Sequence, residues 1–262
     1  KTSSNQASIR KSLYADVQSI LKQNGINNPT LSEAGSGNDK SVKVNVENIR
    51  FDQIIIVFLL TSRKGGKSES DIKSFQSFVS IVKDSVDGSL LWLANQDLFE
   101  VSTELNKFRT EVDQSLFLKV IPKSDSSFES GALIEFFENP KIISNKNGFH
   151  ALKNSTSEIN NICQLLTLSG KKLDINNEIF LQGILFKMDI PNTKNITYSF
   201  NEMIKLINLA KTKLNGILVD VNSNELNEDQ ISKIYVSLKG IEDKMIKINI
   251  MPGSKAAKKI FS

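Results

Sequence analysis

The stretch FNEMIKLINLAKTKLNGILVDVNSNELNEDQI, residues 200–231, decides the fold. Phe200, Met203, Ile207, Ala210 and Leu214 recur at three- and four-residue steps, so they share one face of a helix. GILVD, residues 216–220, reads as a strand. Asn227 follows, with Gln230 three residues on, the spacing of a capping box in which each side chain accepts from the other's backbone N–H. The helix it opens carries Ile231, Ile234, Leu238, Ile241 and Met245 on one face.

Further strands are expected ahead of this stretch, at Leu116–Ile121, Ile162–Leu168 and Ile184–Ile190, the last closed by Pro191. Phe128, Ala132, Leu133 and Phe136 mark a helix that stops before Pro140, and KIIS and GFHAL are short extended pieces. Strands cluster in the middle and do not alternate strictly with helices. This predicts class α+β, an antiparallel or mixed sheet with helices packed on one face.

The strands carry apolar residues on both sides. Ile162, Leu166 and Leu168 share one side of theirs, Cys163 and Leu165 the other; Phe186, Met188 and Ile190 share a side, while Ile184 and Leu185 are on different ones. A two-sided apolar strand in an antiparallel sheet is either covered on both sides or partly exposed as a protein or peptide site.

The N-terminal part reads differently. Residues 1–48 are rich in Ser, Asn and Lys and form a linker, SEAGSGNDKS included, with one short helix at Ile9, Leu13, Val17, Ile20 and Leu21. Residues 49–114 form an additional strand-helix segment. Ile54–Leu60 reads as a buried strand and Ser89–Ala94 as a short one. Helices are expected over roughly 69–86, with Ile72, Phe75, Val79 and Val82 on its face, and at Leu98, Val101, Leu105 and Phe108. Residues 115–262 form the main domain.

Between strand and helix lies TSRKGGKS, residues 61–68, half of a phosphate-binding loop. Gly66, Lys67 and Ser68 are the backbone approach, the charge and the magnesium hydroxyl of such a loop, and Asp220 has the position of a magnesium-orienting carboxylate. Thr61 stands where the first glycine is needed, and Ser68 with Asp71 three residues on is an ordinary helix cap. A nucleotide-binding protein is thus the alternative reading, and a turn the simpler one.

The 262 residues provide a sizeable core, with 39% hydrophobic and 24% charged. A net charge of +4 without a concentrated basic stripe argues against nucleic acid as a partner. The single Cys163 excludes an intrachain disulfide, and with the single His150 it excludes most zinc sites. His150 and Cys163 are on adjacent expected strands and are the one candidate thiol–imidazole pair. The longest apolar run, Ile54–Leu60, is far short of the ~20 residues of a spanning helix. The chain begins at Lys1 rather than Met, which reads as a piece of a longer protein with an anchor open upstream.

The C-terminal half resembles the C-terminal domain of the ZipA family of bacterial cell-division proteins. The resemblance is carried by SLFLKVI, GFHALKN, ICQLLTL, GILFKMDIP, the 200–231 stretch and the GSKAAKKIFS tail, in that order. VFLLTSRKGGKSESDIKSFQSFV resembles part of an extra segment in a longer subgroup, so the likeness spans about residues 51–262. It implies helices on one side of a sheet and, on the other, a shallow apolar groove for the C-terminal tail of FtsZ, the tubulin-like division protein. It also implies an N-terminal membrane helix and a linker that tether FtsZ filaments to the inner membrane, this portion being on the cytoplasmic side. Carried over by position, the groove residues are Phe149, Leu166, Leu168 and Leu185, with Lys187 where the family has a phenylalanine. The expectation is a non-enzymatic protein without cofactor. Its sheet face would bind a lone tail at about micromolar affinity, and avidity would supply the rest.

Overall fold

A computed structural model describes residues 30–33, 54–85, 89–92, 96–124, 127–145, 148–155, 158–173 and 181–262. The chain divides into two compact units, Lys1–Phe108 and Arg109–Ser262. The expected helix at Ile9–Leu21 lies outside the described residues.

In the first unit, strand β1 (Thr30–Glu33) pairs antiparallel with β2 (Ile54–Val57), so Ser32 and Glu33 belong to a strand rather than to the linker read from their composition. β2 ends at Val57, which is 46% exposed, and Phe58 to Leu60 are half-buried, so the apolar run is not the buried strand expected there. Ile56 and Phe58 pack on the cluster Phe75, Phe78, Val79 and Val82 of helix α1 (Glu69–Ser85), with the Phe58 and Phe75 rings stacked at 4.3 Å. Between them, β3 (Thr61–Ser62) and β4 (Gly65–Gly66) form a hairpin, and Gly65 takes the φ of 118° that its turn requires. Residues 89–92 are not a strand, and Leu91 is 77% exposed. An apolar run without a partner strand has nowhere to place its backbone hydrogen bonds in a sheet.

Helix α2 (Leu98–Val112) is capped by Asp97, whose Oδ1 accepts from the N–H of Phe99 and Glu100. Its expected apolar stripe, Leu98, Val101, Leu105 and Phe108, is half-buried, and in this unit its buried residue is Ser102.

The second unit holds β5 (Ser115–Pro122), α3 (Ser130–Phe137), β6 (Ile142–Asn145), β7 (Gly148–Ser155), β8 (Glu158–Thr167) and β9 (Ile184–Asp189). A 3-10 turn (Ile190–Asn192), α4 (Ile196–Lys213), β10 (Gly216–Val219), α5 (Glu228–Lys247) and α6 (Lys255–Ile260) follow. Six strands form one antiparallel sheet in the order β10-β5-β9-β8-β7-β6. Two expected ends move inward: Leu168 is in the turn after β8 and Ile190 in the 3-10 turn. Phe128 lies ahead of α3, bridged to Leu181.

Register assigns the faces. Leu118 is opposite Phe186, Phe186 opposite Leu165, and Leu165 opposite Phe149. The first three are at most 1% exposed and define the inner face. Against it lies α4, in contact with β5, β8 and β10, burying Phe200, Met203, Ile207 and Ala210. Helix α5 adds Leu238, Ile241 and Met245, and its capping box has the expected geometry. Asn227 Oδ1 accepts from the Gln230 N–H, and Gln230 Oε1 from the Asn227 N–H, both at 2.9 Å. Gly216 is required by crowding, since a Cβ there would stand 2.7 Å from Val120 Cγ1 and 2.9 Å from the Ile121 carbonyl oxygen.

Candidate functional site

Side chains alternate along a strand, so the residues between the inner-face set point outward. One outward row runs Lys119, Leu185, Leu166; the next runs Phe117, Lys187, Gln164, His150, Ile143. The expected sharing of a face by Leu166 and Leu185 corresponds to a direct cross-strand pair. Each is only 6% exposed, so the pair forms the floor of this face. Leu168, in the adjoining turn, is 36% exposed, and its methyls lie over Gly183, where a Cβ would come within 2.9 Å of Leu168 Cδ2.

Lys187 is half-buried, with its ammonium 5.8 Å from the centroid of its cross-strand neighbour Phe117, a cation–π contact. Phe149 is not on this face. It is in register with Leu165, and its ring lies 4.9 Å from Phe137 of α3, so it belongs to the inner, helix-covered side. The structure thus brings Leu166, Leu168, Leu185 and Lys187 together and separates Phe149 from them.

At one edge the outward face opens into a cavity of about 430 Å³. Lys187 and Gln164 line it from the sheet, Asn192 and Lys194 from the connection to α4, and Lys258 from α6. Asn192 Nδ2 donates to Asp189 Oδ2 at 3.1 Å and to the Phe261 carbonyl at 2.8 Å, which fastens the chain's last residues beside the sheet. Sequence reasoning missed Phe117, Lys194 and Lys258. Phe117 follows once β5 is known to neighbour β9; the two lysines come from segments 64 residues apart and carry no joint signal.

The thiol–imidazole pair does not form. Ala151 is opposite Cys163 and His150 opposite Gln164, so His150 and Cys163 point to opposite faces. Burial pushes the Cys163 thiol up to about 12, against the lowering effect of a hydrogen bond with the Ala151 backbone. His150 Nδ1 instead lies 3.1 Å from Asn161 Nδ2 and accepts its hydrogen bond.

The phosphate-loop geometry is absent as well. Residues 61–66 are a hairpin, and the Lys67 N–H donates to the Leu60 carbonyl at 2.9 Å and to Ser102 Oγ at 2.8 Å. A backbone donor so engaged does not cradle a phosphate. Ser68 Oγ accepts from the Asp71 N–H, while the Ser68 hydroxyl and N–H both donate to Asp71 Oδ2. These bonds, the hydroxyl's first, hold the Asp71 carboxyl below its ordinary range. Asp220 is likewise committed to its own turn, accepting from the N–H groups of Asn222 and Asn224 and from Asn224 Nδ2.

Comparison with known families matches residues 114–236 to the model described as ZipA, C-terminal FtsZ-binding domain. No curated protein matches the chain. The matched range runs from the residue before β5 into α5 and contains the whole six-stranded sheet and its outward face. Residues 114–236, just under half of the chain, are thus similar to the ZipA C-terminal FtsZ-binding domain.

Proposed function

We propose that this protein is a non-enzymatic cell-division protein whose 115–262 domain binds the C-terminal tail of FtsZ on the outward sheet face. In this reading residues 1–48, apart from the strand Thr30–Glu33, are a linker with one short helix, and 49–114 are an additional segment. The chain tethers FtsZ filaments to the cytoplasmic side of the inner membrane through an anchor beyond these residues. No helix among the described residues is long and apolar enough to cross a membrane. The observation that carries the reading is the family match over 114–236. Its placement is supported by an apolar floor, Leu166 and Leu185, beside the exposed Leu168 and the half-buried Phe117 and Lys187. Phe149 contributes from beneath, packing the sheet onto Phe137.

Because the floor is already shielded, a tail gains mainly from Leu168 and Phe117. Burying the exposed third of Leu168 contributes about 0.5–1 kcal/mol, a third of the ~1.5–3 kcal/mol for a whole leucine. Association entropy offsets much of what such contacts contribute, so a lone tail is expected to bind weakly, on the order of micromolar, and many tails on one filament raise the effective strength.

The test is an anisotropy titration of the chain against a labelled FtsZ C-terminal peptide. Saturable micromolar binding is expected, with at least tenfold loss in Leu168→Glu, where a carboxylate meets the apolar tail, and a nearly unchanged thermal transition. Absence of saturable binding overturns the function; undiminished affinity in Leu168→Glu removes the peptide from this face.

A further inference from the structure

We propose that the cavity at the edge of the outward face takes an acidic side chain of the bound peptide, so that the partner is read by charge as well as by apolar contact. This rests on the tail-binding reading above and goes beyond it by naming the chemistry of the bound segment. Counted over side chains, the cavity presents three cations, Lys187, Lys194 and Lys258, to one anion, Asp189. That anion already accepts a hydrogen bond from Asn192.

Continuity with the face favours a peptide carboxylate over a free anion. Lys187 and Gln164 belong at once to the outward row and to the cavity wall. Lys187 keeps its stem beside Phe117, so its ammonium is poised above an aromatic surface at the cavity mouth. Leu185 and Lys187 are two residues apart on β9, and at ~3.3 Å per residue this is about 7 Å along the strand. An extended peptide with an apolar side chain over Leu185 and Leu166 therefore brings a carboxylate two residues away onto Lys187. A carboxylate there meets the ammonium of a half-buried lysine held 5.8 Å from an aromatic ring centroid.

The experiment uses the intact chain and two labelled peptides: the FtsZ C-terminal peptide, and the same peptide with every Asp and Glu replaced by Asn and Gln. Wild type is expected to bind the amide peptide about tenfold more weakly, a loss typical of a removed interfacial charge pair. Lys187→Met and Lys258→Gln are expected to lose a similar factor on the acidic peptide; on the amide peptide Lys258→Gln loses nothing and Lys187→Met binds more tightly. Raising salt should weaken only the acidic one. Equal affinity of wild type for both peptides, or equal loss of both in the variants, overturns the inference while leaving tail binding intact. Failure of wild type to bind either peptide overturns both readings. Displacement of the acidic peptide by millimolar inorganic phosphate, at unchanged ionic strength, would assign the cavity to a free anion and also overturns the inference. Circular dichroism of each variant confirms that it is folded.

Discussion

Replacing Glu242 by alanine probes how the helical side of the sheet is held in place. Helix α4, the main cover of the inner face, begins after Asn195, whose φ of 47° is left-handed and whose side chain makes no cap hydrogen bond. Its first turn contains no acidic residue. The missing acceptor comes from α5: Glu242 Oε1 accepts from the Ile196 N–H at 2.8 Å. Its Oε2 accepts from the Thr197 hydroxyl at 2.8 Å and from the Thr197 N–H at 3.4 Å. Ile196 is fully buried, so alanine at 242 strands a buried donor, at a cost of ~1–3 kcal/mol. Loss of a negative charge at a helix N-terminus adds about 0.3–1 kcal/mol, and the two effects overlap. The expected total is about 1–4 kcal/mol for Glu242→Ala and roughly half of that for Glu242→Gln, which keeps one acceptor oxygen. Urea unfolding followed by circular dichroism at neutral pH measures this, and amide exchange at Ile196 and Thr197 localises it. The reasoning is refuted if Glu242→Ala stays within 0.5 kcal/mol of wild type, or if exchange at those two amides is unchanged.

Three further outcomes concern the titratable and loop residues. The Cys163 thiol is raised in the folded chain from an ordinary value of 9.0 to about 12, so its contribution to stability is complete below pH 9 and lost as pH rises toward 12. Relative to Cys163→Ala, wild type should therefore lose up to about 1.4 kcal/mol per pH unit across that window, and native-state alkylation at pH 8 should be slow. Rapid labelling of the folded chain would contradict the burial. Ser68→Ala should destabilise α1 by about 1 kcal/mol through loss of the cap. Millimolar ATP or GTP should leave the melting temperature of wild type unchanged, and a nucleotide-dependent rise that Lys67→Ala abolishes would restore the phosphate-loop reading.

What was legible in the sequence was what is local. The Asn227–Gln230 box needs only a three-residue spacing, and its two 2.9 Å bonds form as that spacing requires. The inner stripe of α4 needs only helical periodicity, and Phe200, Met203, Ile207 and Ala210 are all buried. Alternation also separated Leu165 from Leu166 and Phe186 from Leu185. It could not say which side of β7 carries Phe149, because this depends on the pairing of Phe149 with Leu165, a property of two strands jointly. The irregularity between Ala151 and Leu152 shifts the register beyond that point, so counting along β7 alone does not carry a face through it. The Glu242 cap joins residues 46 apart and has no local signature. The strand expected at Ser89–Ala94 is not formed over its described residues, 89–92, for the same reason in reverse: apolar composition is local, but a strand also needs a neighbour.

The lysine at position 187 now has a physical account. By resemblance its place belongs to a phenylalanine, and a charge in an apolar groove weakens anchoring if the ammonium must shed its water. Here the aromatic surface is present one strand away, at Phe117, and the ammonium lies 5.8 Å from that ring's centroid. The same residue lines a cavity with two further lysines, so the charge has a wet, cationic outlet rather than a dry floor. A tail that is purely apolar would have to displace the lysine from the ring without compensation. A tail with a carboxylate about two residues from its apolar side chain draws the ammonium toward the cavity and uncovers Phe117 for contact. Substitution of Lys187 therefore acts in opposite directions on the two kinds of tail: Lys187→Met removes the partner of an acidic peptide but leaves a neutral peptide an uncharged apolar surface. The sign of that difference reports which kind of tail the face selects.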